Sequence, residues 1–189
     1  MHALLAAALL AASPATPAAP APSSAPPPAT KARAAAADPA DPSGEWRGAR
    51  WGMTVDEVLK AFPGEARPMQ PRLDLADGAV VAVELPGVDL AGQPLEVRFV
   101  FAGGKLAIVS LRSPQRSHVP ADTYQKLAGH LAARFGGPGE PMTEGLVGEM
   151  RQTTWRLPRG VAELKHVQGV LVLQYHPAEA GEAAAPAAR

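Results

Sequence analysis

The stretch LEVRFVFAGGKLAIVSLR, residues 95–112, decides the fold. Two runs rich in apolar and β-branched residues flank Gly103-Gly104, and glycines in a two-residue turn permit the positive φ that joins antiparallel strands. The stretch reads as a hairpin of Leu95–Phe101 with Leu106–Arg112. Alternation across such a hairpin puts Leu95, Val97, Phe99, Phe101, Leu106 and Ile108 on one face. Val100, Ala107, Val109 and Leu111 then share the other face, beside Glu96 and Arg98.

A second hairpin follows the same spelling, with Val161–Val167 and Val170–Tyr175 around Gln168-Gly169. Its inner face carries Ala162, Leu164, His166, Leu171, Leu173 and Tyr175. Its outer face carries Val161, Glu163, Lys165, Val170 and Val172. A further strand precedes each hairpin, Ala79–Leu85 and Met150–Leu157, adding Val81, Val83, Trp155 and Leu157 to the expected core.

Each strand set follows a helix. Thr54-Val-Asp-Glu57 spells a capping box, and Val55, Val58, Leu59 and Phe62 form a stripe at helical spacing, stopped by Pro63-Gly64. A second helix spans 120–135, with Pro120 in its first turn and a stripe of Tyr124, Leu127, Ala128, Leu131 and Phe135 before Gly136-Gly137. Gly129 inside it suggests close packing, since glycine there costs about 1 kcal/mol relative to alanine. The matching order predicts an α+β fold. Two helices pack on one face of an antiparallel sheet of about six strands, as an internal duplication (αβββ-αβββ) with pseudo-repeats 52–113 and 118–176.

Around this single domain, placed at 45–176, the ends have a different composition. Residues 3–12 are ten apolar residues, short for a membrane span but suited to the core of a secretory signal peptide, here 1–15. The region before it has no Lys or Arg, and small residues at 13–15 place cleavage before Thr16. Residues 16–44, rich in Ala and Pro, read as a disordered tether, and 177–189 as a disordered tail. The expected location is periplasmic or secreted.

Composition removes several kinds of chemistry. There is no cysteine, hence no disulfide, thiol catalysis or cysteine-bound metal. With 18 basic and 18 acidic residues, no charge excess points to nucleic acid. The five histidines, His2, His118, His130, His166 and His176, show no HxxxH or HExxH spacing. No nucleophile elbow, glycine-rich nucleotide loop or P-loop occurs. Neither a metal, a cofactor nor a catalytic residue is assigned.

Two places draw attention as partner-binding candidates. Glu45–Met53 brings Trp46 and Trp51 together with Arg47 and Arg50 just before the first helix. Trp and Arg are frequent interface anchors, although Trp46 closing the core and Trp51 stapling the helix is the plainer structural alternative. The other place is the outer sheet face, with Arg98, Val100, Val109, Leu111, Lys165 and Val172 as candidate contacts unless a loop such as 63–78 or the Trp46 arm folds over it.

Trp51-Gly52-Met53-Thr54 with Glu57-Val58, followed by a hairpin carrying Gly104-Lys105-Leu106, resembles small bacterial envelope proteins. The helix–strands order over roughly 52–176 is similar to the beta-lactamase inhibitor protein family and to the outer-membrane assembly lipoprotein family. These families work by binding, so the resemblance implies an exported, non-enzymatic module that engages another envelope protein. Lacking cysteine, the chain departs from the lipoprotein pattern, and no lipid anchor or integral membrane span is implied. A periplasmic hydrolase with a dispersed polar site, or a small-ligand binder, is the alternative.

Overall fold

Thr54 starts the first helix, α1 (Val55–Ala61), through both arms of the expected capping box. The Glu57 N–H donates to Thr54 Oγ1, and the Thr54 N–H donates to the Glu57 carboxylate at 2.7 Å. These bonds satisfy amides that a helix start leaves without partners. The computed structural model describes residues 40–114, 117–142 and 150–178. The expected leader, most of the tether and nearly all of the tail lie outside the described residues.

The second helix, α2 (Ala121–Phe135), has Pro120 at its N-cap and ends at Gly136, whose φ of +87° suits glycine. Gly129 does not mark close packing: a Cβ there would meet nothing within 4 Å. Tyr124, Leu127 and Leu131 are the buried members of the α2 stripe.

The strands form one antiparallel sheet of eight, which overturns the expected six-stranded duplicated plan. In chain order they are β1 (Arg67–Asp74), β2 (Val80–Leu90), β3 (Gln93–Ala102), β4 (Lys105–Arg112), β5 (Glu140–Pro141), β6 (Met150–Leu157), β7 (Gly160–Val167) and β8 (Val170–His176). Their order across the sheet is β1-β2-β3-β4-β8-β7-β6-β5. The additional strands are its two edges. β1 contains Pro68 and Pro71 and is almost wholly exposed, and proline is tolerated on an edge because one side of the strand has no ladder bond to lose. β5 is two residues long, too short for any periodicity. β2 also continues beyond Leu85, the expected end of its strand, with an irregularity between Leu85 and Val88 that absorbs Pro86.

Pairing register fixes which side chains share a face. Val83, Phe99, Val109, Tyr175, Ala162 and Trp155 lie opposite one another in a row across six strands, each at most 5% exposed. Leu85, Val97, Leu111, Leu173 and Leu164 form a parallel row, also buried. Both helices cover this face. From α1, Val58 and the adjoining Phe62 reach it, with the Phe62 ring 5.4 Å from Phe99. From α2, Phe135 meets Trp155 at 5.5 Å and Tyr175 at 6.4 Å, both edge-on.

One extra residue changes the face assignment of β4. Phe101 pairs with Leu106 but Val100 pairs with Ile108, leaving Ala107 bulged. Because strand side chains alternate, a single inserted residue inverts everything beyond it. Val109 and Leu111, expected on the outer face, therefore point into the core and are 0% exposed. Ile108, expected in the core, pairs across to Val100 on the outer face. A second shift between Val81 and Val83 likewise leaves Val83 in the core and puts Val81 opposite Val100.

Packing extends upstream of the first helix. Ala40 is fully buried and its carbonyl accepts from Arg134 Nη2 at 3.5 Å. Asp41 organises the following turn by accepting the backbone N–H groups of Ser43 and Arg47. These contacts reach into the segment assigned to the tether.

Candidate interaction face

The helices occupy one side of the sheet, and no described helix or strand lies over the other. Register builds this open face row by row. Arg67, Glu84, Arg98, Ser110, Gln174, Glu163, Thr154 and Glu140 stand opposite one another in sequence, a polar row that crosses all eight strands. On one side of it lies the row Glu96, Arg112, Val172, Lys165 and Gln152. On the other side lie Leu73, Val81, Val100 and Ile108. Val81 and Val100 are buried yet stand outside the helix-side core cluster, while Leu73 is 42% exposed.

The charges of this face largely neutralise one another. Arg67 pairs with Glu84 at 2.8 Å, Arg98 with Glu96 at 3.6 Å and Lys165 with Glu163 at 2.7 Å, and Arg156 pairs with Glu140. Gln152 donates to Glu163 at 3.2 Å, and Lys165 donates to Gln174 at 3.3 Å. The more exposed of these pairs, such as Arg67–Glu84, contribute little, about 0–1 kcal/mol each. Arg112 differs. Its Nε is buried without a hydrogen-bond partner, and Glu96, opposite it, pairs with Arg98 instead.

The structure separates the residues singled out in the sequence. Arg98, Val100, Lys165 and Val172 lie on the open face, whereas Val109 and Leu111 belong to the core. Trp46 is also core: it is fully buried, with its ring 5.6 Å from Phe62 and 5.7 Å from Phe99. Arg47 lies over Trp46 and Phe62 and pairs with Glu65 at 3.3 Å, so it caps the aromatic cluster. Arg50 is exposed near α1, and Trp51 donates its indole N–H to Arg159 O at 2.8 Å. The arm before α1 thus braces the core and stands apart from the open face. Ser110, Arg112, Gln174 and Ile108 were missed. The signal for the three β4 residues lay in the alternation of that strand once the Ala107 bulge is counted, and that for Gln174 in the plain alternation of β8 with Val170 and Val172.

Two histidines and two serines are bonded to the backbone. His166, buried on β7, bonds Val119 O at 2.9 Å, and His176 bonds Pro177 O at 3.1 Å. Ser117 donates to Pro114 O, and the buried Ser113 hydroxyl accepts from Leu171 N–H at 3.1 Å. Among the described residues no group of three or more His, Asp or Glu is arranged to hold a metal ion. Two carboxyls are held below their ordinary values, and both sit at helix starts. The Thr54 backbone and hydroxyl lower Glu57, and the Lys126 ammonium lowers Asp122.

The fold and this face define an α+β domain whose broad sheet is closed by helices on one side only. Among the described residues no helix is long and apolar enough to cross a membrane. No family model, curated protein or solved structure matches the chain.

Proposed function

We propose that this is an exported, non-enzymatic binding module of the cell envelope that docks a protein partner on the open face of its sheet. The observation that carries the reading is the face itself: Leu73, Ile108 and Val172, accessible beside a polar row that spans every strand, with no described helix or strand over them. Apolar residues rimmed by polar groups are the common composition of partner sites. The short apolar run 3–12 and the Ala/Pro-rich segment after it support export and a tethered position.

Site-specific photocrosslinking in the native host tests this. A photoreactive residue at Ser110, in the middle of the face, should give one discrete adduct in the envelope fraction. The same residue at Lys126, exposed on α2, should not. Equal crosslinking at both positions, or at neither, refutes the proposal.

A further inference from the structure

We infer that Arg112 is the anchor of this face, and that the partner presents an aspartate or glutamate carboxylate to it together with an aliphatic side chain for Ile108. The inference rests on the docking role proposed above. Its ground is charge bookkeeping across the face. Arg67, Arg98, Lys165 and Arg156 each have a carboxylate, and Glu84, Glu96, Glu163 and Glu140 are each used by one of those cations. Arg112 is the cation left over. Among the described residues it has no ion pair or side-chain hydrogen bond, and its Nε is buried.

A guanidinium is a planar fork of donors with no acceptor of its own, so any bond it makes depends on an acceptor brought to it. The buried Nε is closed to an incoming group, but the two Nη nitrogens are not among the buried, unpartnered atoms, and a carboxylate can pair with that outer end of the guanidinium in the planar two-point geometry that arginine favours. The surplus also sits in the middle of the sheet, on β4, whose partners are β3 and β8. Central, half-buried arginines flanked by apolar contacts are the usual anchors of interfaces.

Spacing sets the remaining chemistry. Arg112, Ser110 and Ile108 alternate along one strand and face the same way, which puts Arg112 and Ile108 about 13 Å apart. Val172 lies beside Arg112, and Val100 lies beside Ile108. An extended segment laid along β4 therefore meets a cation first, a hydroxyl next and an aliphatic patch last. An acidic residue, a small polar one and a Val, Ile or Leu in alternate positions complement that order.

The test uses the full 189-residue chain and three fluorescein-labelled eight-residue peptides in which valine alternates with Glu, Gln or Lys. Binding is read by anisotropy, and its location by amide shifts at Ser110 and Val172. The Glu peptide should bind about tenfold or more tightly than the Gln peptide, and the Lys peptide more weakly still. In Arg112→Met, which keeps the length of the side chain, Glu and Gln peptides should bind alike, and Arg112→Lys should restore part of the difference. Equal Glu and Gln binding on this face would overturn the anchor and leave the docking surface standing. No saturable binding, or shifts confined to other surfaces, overturns both. If Glu179→Gln/Glu182→Gln in the full chain shifts the Arg112 Nε–H signal, the carboxylate comes from the protein's own tail. If Arg112→Met abolishes concentration-dependent dimers, it comes from a second copy. Either result refutes an external partner.

Discussion

Replacing Val109 and Ile108 by alanine, one at a time, tests the bulge that divides the two faces. The residues are adjacent, both aliphatic, and differ by one carbon, yet the register puts them on opposite sides of the sheet. Val109 is fully buried between Phe99 and Tyr175. Removing its two terminal carbons forfeits about 0.8 kcal/mol of transfer energy each, and the cavity left behind adds about 1 kcal/mol, for a total near ~2.5 kcal/mol. Ile108→Ala removes three carbons, but from a half-buried site where solvent fills the gap, and should cost about 1 kcal/mol or less. The smaller truncation thus gives the larger loss. Urea unfolding followed by tryptophan fluorescence measures both, with an unchanged slope expected. Aspartate sharpens the contrast. Val109→Asp buries a charge with no partner and should unfold a domain of ordinary stability, about 5–15 kcal/mol, whereas Ile108→Asp should fold. If Ile108→Ala proves the costlier change, Ala107 is not the bulged residue and the assignment of faces is wrong.

Ser113→Ala removes the buried hydroxyl that accepts the Leu171 N–H, and should cost about 1–3 kcal/mol with faster hydrogen exchange at the Leu171 amide. Gly129→Ala should stabilise the protein by about 0.5–1 kcal/mol, because the helix gains a better former in open space; a lower urea midpoint would contradict that placement. Glu57 titrates below its ordinary 4.5 because the folded state hydrogen-bonds its ionised form. Its contribution is thus complete above about pH 4.5 and fades as pH falls through the lower folded value. The urea midpoints of the protein and Glu57→Gln should accordingly differ by a steady amount from about pH 7 to pH 5 and converge in more acidic buffer.

What was legible in the sequence was chemistry that acts over a few residues. Thr54 and Glu57 cap α1 by contacts three residues apart, and Gly103-Gly104 and Gln168-Gly169 turn their hairpins as read. The second hairpin also alternates as expected, with His166 in the core, because no bulge interrupts β7 or β8. The first hairpin misled for a physical reason. Residues 106–111, LAIVSL, offer apolar side chains in both phases, so hydrophobicity alone cannot say which phase faces the helices. Edge strands were hidden differently. Pro68 and Pro71 look like loop punctuation until it is known that β1 has a partner on only one side. Arg112 was overlooked because its distinction is relational. It is the cation whose neighbours already have partners, and that depends on pairings between distant strands.

The strand order also has a kinetic consequence. Along β1 to β4, and again from β5 to β8, every ladder joins consecutive strands, so each set can zip up by closing short loops. The β4–β8 ladder alone joins residues such as Val109 and Tyr175 across the whole intervening chain, and only four pairs register there. Loop-closure entropy must be met before that ladder forms, which makes it the natural bottleneck of folding. Conservative truncations at Leu111 or Leu173, which face each other in that ladder, should therefore slow refolding more than they speed unfolding, and truncations within either outer hairpin should do the reverse. Until the central ladder closes, β4 and β8 are open edges beside unshielded aliphatic residues. The protein's greatest exposure to aggregation then falls in that interval, and the long row of charges on its outer face is suited to keeping such intermediates soluble.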